Sequence, residues 1–263
     1  MIPGMAHTTH ILLSTGSVFH LSFDEIFQAA CESGFDGLEL ILDAAVADTP
    51  TARLMELSER RGLPIACVHA PFFPLPFLGG SHVRGIELAI TLARAVGSAM
   101  VNAHPFSLVS DAAESQRLLS LAGELILGIE NMPRGIEIYD EGEAQIINDH
   151  DALNHFARDN GLKVTYDVSH FATWDQSILK GYRLFRADLI NIHLSDYAVG
   201  RQHLLPGEGQ LPLARLLESA SADGRARFIT LETTPGAFGD GGLPEIVAAL
   251  TKARDFIEAS MSN

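Results

Sequence analysis

Short apolar runs alternate with longer amphipathic stretches along the whole chain. The longer stretches place apolar residues at the 3.6-residue spacing of a helix, and several are followed by a glycine suited to a left-handed terminus. The short runs are rich in β-branched residues and are typical of buried strands. The predicted strands are His10–Ser14, Gly37–Leu42, Ile65–His69, Ala99–His104, Leu125–Glu130, Lys163–Asp167, Leu189–His193 and Phe228–Glu232. The predicted helices include Phe23–Glu32, Ala52–Arg61, Val83–Val96 and Ala152–Asp159.

The order strand, helix, strand, without a signal for an antiparallel hairpin, predicts a parallel sheet with crossover helices. Eight such units in 263 residues match a (β/α)8 barrel, whose typical length is about 250 residues. An open doubly wound sheet is the alternative, but it needs a glycine-rich phosphate loop after an early strand, and the sequence has none. Since no linker is visible, we predict one α/β domain over residues 1–263, a single (β/α)8 TIM barrel.

Composition and charge narrow the class of partner. The chain is 47% hydrophobic, but no segment has the length and apolarity of a membrane span. Eighteen Lys and Arg residues against 33 Asp and Glu residues give a formal net charge of −15 without any basic cluster. Because binding of long nucleic acids requires a basic surface, we expect a small-molecule substrate instead. Only two cysteines, Cys31 and Cys67, and no signal-peptide pattern predict a cytoplasmic protein.

Potential metal ligands stand at the ends of six consecutive predicted strands. These strand-end residues are His69, His104, Glu130, Asp167, His193 and Glu232, and two further histidines follow in loops, His170 and His203. In a (β/α)8 barrel the C-terminal ends of the strands meet at one mouth, where catalytic groups lie. Carboxylates that converge there repel one another unless a cation compensates them. Mixed imidazole and carboxylate ligation suits zinc or manganese, and iron is compatible with it.

The residues two positions before these ligands point into the same interior, one layer lower. They are Cys67, Asn102, Gly128, Thr165, Asn191 and Thr230. A purely structural layer would consist of bulky Val, Ile and Leu. Small and polar side chains at these positions predict a supporting layer that orients the ligands, with a water-filled lower barrel as the alternative.

This pattern resembles the xylose isomerase-like TIM-barrel superfamily, which includes sugar isomerases and epimerases, inosose dehydratases and endonuclease IV. The resemblance runs from Gly34-Phe35-Asp36-Gly37-Leu38-Glu39 to the last strand. The metal ligands that these proteins share are matched here by Glu130, Asp167, His193 and Glu232. Single-metal epimerases also share the histidine three residues after the aspartate, but generally lack histidines at the ends of strands three and four. Endonuclease IV has them.

The resemblance to the three-zinc site of endonuclease IV implies roles for the individual residues. His69 and His104 would hold one zinc ion, and His170 and His203 would serve the third. The second ion would be held by Asp167, His193 and Glu232, with Glu130 bridging the first two ions. One expected ligand is missing, because Arg201 stands where that family has an aspartate two residues before the loop histidine. One to three ions are therefore expected.

Two reactions remain open from the sequence. The first is metal-assisted hydrolysis of a small phosphoester other than DNA, because His69 and His104 have no evident task at a single-metal site. The alternative is isomerisation or epimerisation of a sugar or sugar phosphate. There Glu130 and Glu232 would shuttle a proton, while His170 and Arg201 would bind the substrate. The sequence is also compatible with Arg201 as a plain surface residue and with a homo-oligomer. Lyase chemistry and a non-catalytic metal-binding barrel are further alternatives for the function.

Overall fold

The computed structural model describes residues 8–72, 75–105, 112–135, 148–239 and 241–262. Within these residues, eight parallel strands close into a barrel in the spatial order β1-β10-β7-β6-β5-β4-β3-β2. The barrel strands are β1 (His10–Ser14), β2 (Gly37–Ile41), β3 (Ile65–His69), β4 (Met100–Ala103), β5 (Ile126–Glu130), β6 (Lys163–Asp167), β7 (Leu189–Leu194) and β10 (Phe228–Leu231). This arrangement confirms the predicted (β/α)8 class, and every predicted strand is correct to within one residue at each end.

Amphipathic helices cover the outside of the barrel. They are α1 (Phe23–Glu32), α2 (Ala44–Asp48), α3 (Thr51–Arg61), α4 (His82–Val96), α5 (Ala112–Ala122), α6 (His150–Asp159), α7 (Val168–Ala172), α8 (Ile178–Phe185), α9 (Leu213–Asp223) and α10 (Leu243–Met261). Helix α1 begins with a capping box between Ser22 and Glu25 and buries Ile26 and Phe27 against the sheet. The main apolar core therefore lies between the strands and the helices.

The interior of the barrel is divided into an apolar lower part and a polar upper part. A small cluster of Leu12, Cys67, Met100 and Phe228 fills the N-terminal end of the barrel. Above it, buried polar side chains replace the branched aliphatic layers usual in this fold. The fold thus concentrates buried charge at the C-terminal end of the strands.

An antiparallel hairpin lies in the connection after β7 and consists of β8 (Asp196–Ala198) and β9 (Arg201–Leu204). The sequence carries no recognisable signal for this hairpin, and its two strands are not among the predicted ones. Its strands are short, and its turn contains Val199 and Gly200 rather than the Asn-Gly or Asp-Gly pair that marks a hairpin in a sequence. The hairpin is important for the site because it carries His203.

None of the helices in the described part of the chain is long and apolar enough to cross a membrane.

Candidate metal centre

The strand-end residues converge at the C-terminal mouth of the barrel, around a cavity of about 350 Å³. Six of the eight predicted ligands line this cavity, namely His69, His104, Glu130, His170, His203 and Glu232. The other two, Asp167 and His193, are fully buried beneath it. The described structure therefore brings all eight residues together, and their ligand atoms form overlapping groups.

The first group consists of His69, His104 and Glu130, from β3, β4 and β5. The Nδ1 atom of His69 lies 2.6 Å from the carbonyl oxygen of Ala70. Since a carbonyl only accepts, Nδ1 carries a proton, and Nε2 is turned toward Glu130. This Nε2 lies 3.1 Å from Oε2 of Glu130, and His104 Nε2 lies 3.9 Å from Oε1 of the same carboxylate. Two imidazoles thus share one buried carboxylate.

The second group consists of Glu130, Asp167, His193 and Glu232, whose ligand atoms all lie within 4.8 Å of one another. Nδ1 of His193 is the central atom. It lies 2.8 Å from Oε2 of Glu232, 3.3 Å from Oε2 of Glu130 and 4.0 Å from Oδ2 of Asp167. Glu130 belongs to both groups: its Oε2 lies near His69 and His193, and its Oε1 lies near His104 and His170.

The third group consists of Asp167, His170 and His203. His170 Nδ1 lies 2.9 Å from the carbonyl oxygen of Asn131, so its Nε2 faces the Nε2 of His203 at 3.1 Å. Two ring nitrogens at this distance require a proton or a cation between them. The backbone φ of His203 is 54°, which is unusual for a residue other than glycine. Its backbone N–H donates a hydrogen bond to Ser169 Oγ. The hairpin holds His203 in this strained conformation, a feature common at functional sites.

Glu39 on β2 is a member of the site that the sequence reasoning missed as a functional residue. It is fully buried, and its Oε1 accepts a hydrogen bond from His193 Nε2 at 2.9 Å. Its Oε2 accepts from Asn191 Nδ2 at 2.9 Å and from Thr230 Oγ1 at 3.0 Å. A carboxylate on one ring nitrogen of a histidine fixes the tautomer and turns the other nitrogen toward a metal. The only hint in the sequence is a glutamate inside an apolar strand.

The polar layer beneath the ligands contacts their carboxylates directly. Asn102 Nδ2 donates to Glu130 Oε2 at 2.8 Å, while Asn191 and Thr230 support Glu39. A Cβ atom at Gly128 would meet the Met100 methyl group, which would have to shift. Asn102 therefore orients the carboxylate that both ligand groups share.

Burial and neighbouring charges shift the pKa values in opposite directions. Burial lowers the pKa of His104 to about 3 and raises the pKa of Asp167. Burial also opposes a charge on His193, but the surrounding carboxylates, Glu232 first, outweigh it and raise the pKa of His193 well above its ordinary value. In turn, His193 outweighs the burial of Glu130 and Glu232, whose pKa values fall, that of Glu232 to about 2. The carboxylates of Glu130 and Glu232 thus stay ionised and require a positive partner.

Three buried atoms of the second group have no hydrogen-bond partner in the described part of the chain: Glu130 Oε1, Asp167 Oδ2 and His193 Nδ1. Although His193 Nδ1 is 2.8 Å from Oε2 of Glu232, the two atoms form no hydrogen bond. Buried polar atoms without partners are costly, and Glu130, Asp167 and His193 each offer a ligand atom to one group whose atoms all lie within 4.8 Å of one another. A divalent cation bound by this group would satisfy such atoms, so the donor set fits a metal ion.

Arg201 is the predicted site residue that the structure does not bring to the cavity. Its side chain is exposed at the start of β9 and is not part of the cavity lining.

Asp196 organises the connection after β7 that carries His203. Its carboxylate accepts hydrogen bonds from four backbone N–H groups, those of Tyr197, Gly207, Gly209 and Leu211, all at 2.8–3.0 Å.

Eight parallel strands closed into a barrel, with imidazoles and carboxylates gathered at their C-terminal ends, define a (β/α)8 protein with a candidate metal centre. The family model described as xylose isomerase-like TIM barrel matches residues 27–257. The chain therefore belongs to the xylose isomerase-like TIM-barrel family, as the sequence resemblance implies. The proteins with similar structures include enzymes.

A similar sequence and two similar structures illustrate the range of this family. An uncharacterised protein of Mycobacterium leprae (strain TN) is 27% identical over 245 residues, covering 84% of this chain and 88% of that protein. D-psicose 3-epimerase from Clostridium cellulolyticum H10, with D-tagatose, has a TM-score of 0.76 at 13% identity and covers 96% and 99% of the two chains. AP endonuclease, family 2, from Brucella melitensis has a TM-score of 0.66 at 16% identity, with 92% and 97% covered. At such identities the two structures establish the shared fold.

Proposed function

We propose that this protein is a divalent-metal-dependent hydrolase of a small phosphoester. The observation that carries the proposal is that Glu130 belongs to two groups of ligand atoms, one with His69 and His104 and the other with the buried Asp167 and His193. A carboxylate shared in this way is suited to bridge two cations. Paired cations generate hydroxide at neutral pH and stabilise the leaving oxygen of a phosphoester.

The chain's own residues have separable tasks in this proposal. His69, His104 and Glu130 would hold one ion, and Glu130 would share the second ion with the group around His193. The fully buried position of His193 excludes water from the floor of the site, while Glu232, which Ser14 Oγ contacts at 3.3 Å, faces the cavity. Zinc or manganese suits this donor set, and iron is compatible with it.

His170 and His203 lie at the rim and have the geometry to hold a proton between their Nε2 atoms, 3.1 Å apart. A proton at this position would be available to the leaving oxygen of a substrate in the cavity. A third ion at the same place is the alternative that the resemblance implies. Since Arg201 stands in place of an aspartate ligand and is exposed, this ion would lack one of the ligands that the resemblance implies.

Sugar or sugar-phosphate epimerisation is the second candidate function. The supporting observation is that Glu130 and Glu232 lie in one group of ligand atoms within 4.8 Å of each other and both line the cavity. Two carboxylates at one metal are suited to move a proton between the faces of a substrate carbon. The similar fold of D-psicose 3-epimerase is compatible with this reaction.

The two functions are distinguished by assays of the zinc- and manganese-loaded protein and of its His69→Ala variant. The substrates are bis(4-nitrophenyl) phosphate, thymidine 5′-(4-nitrophenyl phosphate) and a panel of ketoses and ketose phosphates. We expect phosphoester hydrolysis that His69→Ala abolishes and that a matched control on the outside of α6, His155→Ala, retains. Epimerisation that persists in His69→Ala, without any hydrolysis, would contradict the proposal and favour the second candidate.

The proposed partner is a small molecule, and we do not propose long nucleic acids or membranes as partners. The net charge of −15 opposes the approach of a polyanion. A homo-oligomer and a cytoplasmic location stay predictions.

A further inference from the structure

A second cavity of about 340 Å³ lies beside the metal centre at the same end of the barrel. It is formed by the start of α1, the end of β2 and the loop leading into α2. Its walls are largely apolar, consisting mainly of Phe19, Leu21, Phe23, Ile26, Ile41 and Val46. Ser22 and Asp43 are exposed, so they lie at its rim, whereas Thr15 is buried and its Oγ1 accepts a hydrogen bond from the Ile41 N–H at 2.9 Å.

Gly16 and Ile41 line both cavities and form the boundary between them. A Cβ atom at Gly16 would lie 3.2 Å from the Ile41 side chain and 3.4 Å from Ser14 Oγ. Any larger side chain at position 16 would therefore press on the wall that the two cavities share. The apolar cavity and the cavity of the metal centre thus lie side by side, with Gly16 and Ile41 in their common wall.

Apolar groups are also exposed around the mouth. Among the described residues, four large hydrophobic side chains are exposed, and three of them, Phe19, Phe77 and Val199, follow β1, β3 and β7 on the side of the metal centre. The Phe19 ring lines the second cavity and is 65% exposed. The exposed Phe19 ring thus adds apolar surface at the rim of the second cavity.

Cationic side chains are absent from the lining of both cavities, as far as the structure describes them. The internal segments outside the description, 73–74, 106–111, 136–147 and position 240, contain no lysine or arginine in the sequence. Positive charge for an anionic ligand is therefore available at the metal ligands alone. A second anionic group on a ligand would have no cationic side chain to pair with, whereas a neutral apolar group could pack against the apolar wall of the second cavity.

We infer that the two cavities form one binding site, in which the metal centre takes a phosphoryl group and the apolar cavity takes a neutral ring-bearing group of the same molecule. This inference rests on the proposed function and narrows its substrate class to phosphoesters of aromatic or similarly flat apolar alcohols. An enclosed apolar cavity of about 150 Å³ suffices to bind benzene, so a cavity of about 340 Å³ has room for one or two fused rings.

The test compares benzylphosphonate with methylphosphonate as non-hydrolysable probes of the zinc-loaded protein, by isothermal titration calorimetry. We expect benzylphosphonate to bind roughly tenfold more tightly, because its ring leaves water for the apolar cavity. Two variants fill that cavity, Gly16→Val in the wall shared with the metal centre and Ala45→Trp at a position that lines the apolar cavity alone. Each should remove the advantage of the ring, and Ala45→Trp should leave the binding of methylphosphonate as before. Gly236→Val is the matched control, since a Cβ atom at Gly236 meets nothing within 4 Å.

Equal affinity of the two phosphonates would overturn the inference, and so would an advantage of the ring that both cavity-filling variants leave intact. If neither phosphonate binds to protein that has bound its metal, the proposed phosphoester function fails. The apolar cavity is then judged by itself with 4-fluorobenzyl alcohol, a neutral probe followed by fluorine NMR. Broadening of the probe's fluorine signal by the unaltered protein, abolished in Gly16→Val and Ala45→Trp, would support binding of a ring in the apolar cavity. If the unaltered protein does not broaden the signal, binding of a ring there is rejected.

Discussion

Glu39 on β2 and His193 on β7 are joined across the barrel interior by a hydrogen bond of 2.9 Å between Oε1 and Nε2. Two other strands, β1 and β10, separate β2 from β7 in the barrel. The bond places the Nε2 proton toward Glu39 and leaves Nδ1 facing Glu232 at 2.8 Å. The orientation of the central ligand is thus determined by a residue that does not itself border the cavity.

Replacing Glu39 by glutamine should weaken metal binding without unfolding the protein. Oε2 accepts hydrogen bonds from both Asn191 and Thr230, so the amide N–H₂ of a glutamine is excluded from that side and turns toward His193. There it favours the wrong tautomer, with a proton on Nδ1. Loss of such a supporting partner typically lowers metal affinity by about 10–100-fold. Competition with a chromogenic zinc chelator measures the affinity.

Glu59→Gln, a change on the exposed face of α3, is the matched control for Glu39→Gln and should leave the affinity unchanged. Nitrogen-15 NMR of the imidazoles reports the tautomer of His193 independently of any activity. Unchanged affinity and an unchanged tautomer in Glu39→Gln would refute the positioning role.

Glu130→Gln and Glu232→Gln should each lower turnover by about 10²–10³-fold or more, because both carboxylates face the reacting groups under either candidate function. The two variants should differ in metal content. Glu130 belongs to two ligand groups and Glu232 to one, so Glu130→Gln should lose more metal. Steady-state kinetics and elemental analysis of the same samples check this. Full activity of either variant would be incompatible with both functions.

Asp196→Asn should loosen the connection that carries His203. The carboxylate accepts four backbone N–H groups, and an asparagine N–H₂ would oppose two of these donors. Hydrogen bonds to a charged group contribute about 1.5–3 kcal/mol each, so we expect a loss of a few kcal/mol in unfolding free energy. Urea unfolding measures this loss, and amide hydrogen exchange at Gly207 and Gly209 should accelerate. Asp48→Asn, at the exposed end of α2, should change neither.

His150 at the start of α6 should make the fold sensitive to acid. Its ring stacks on Phe171 at 4.5 Å and meets Trp174 edge-on, and this burial lowers the pKa of His150 from 6.5 to about 4. The folded state thus disfavours the protonated ring. Its contribution to stability is complete above the unfolded pKa of 6.5 and is lost as the pH falls from 6.5 toward 4, by about 2–3 kcal/mol at most.

The comparison of His150→Phe with the unaltered protein isolates this effect from the titration of the metal centre. Urea unfolding at pH 7 and pH 4.5 should show a smaller acid-induced loss in the variant, since phenylalanine keeps the ring contacts and has no titrating nitrogen. Equal losses in both proteins would show that His150 does not contribute to acid sensitivity.

The strands and the eight clustered site residues could be predicted from the sequence because parallel strands bring their C-terminal ends together. Position along a strand therefore fixes the place of residues such as His69 and Glu232. Glu39 could not be assigned in this way, because contact with His193 depends on closure of the barrel rather than on strand order. The resemblance to epimerases implied a place for Arg201 at the substrate, with a plain surface arginine as the alternative. The hairpin, which the sequence did not reveal, leaves its side chain exposed.

The number of metal ions per chain tests whether Glu130 joins two metal sites. Elemental analysis of protein purified without chelators or a nickel column should find at least two ions of zinc, manganese or iron. The His69→Ala variant should contain one fewer, and the His155→Ala control the same number as the unaltered protein. A single ion per chain that His69→Ala retains would contradict the account, because Glu130 would then not join two metal sites.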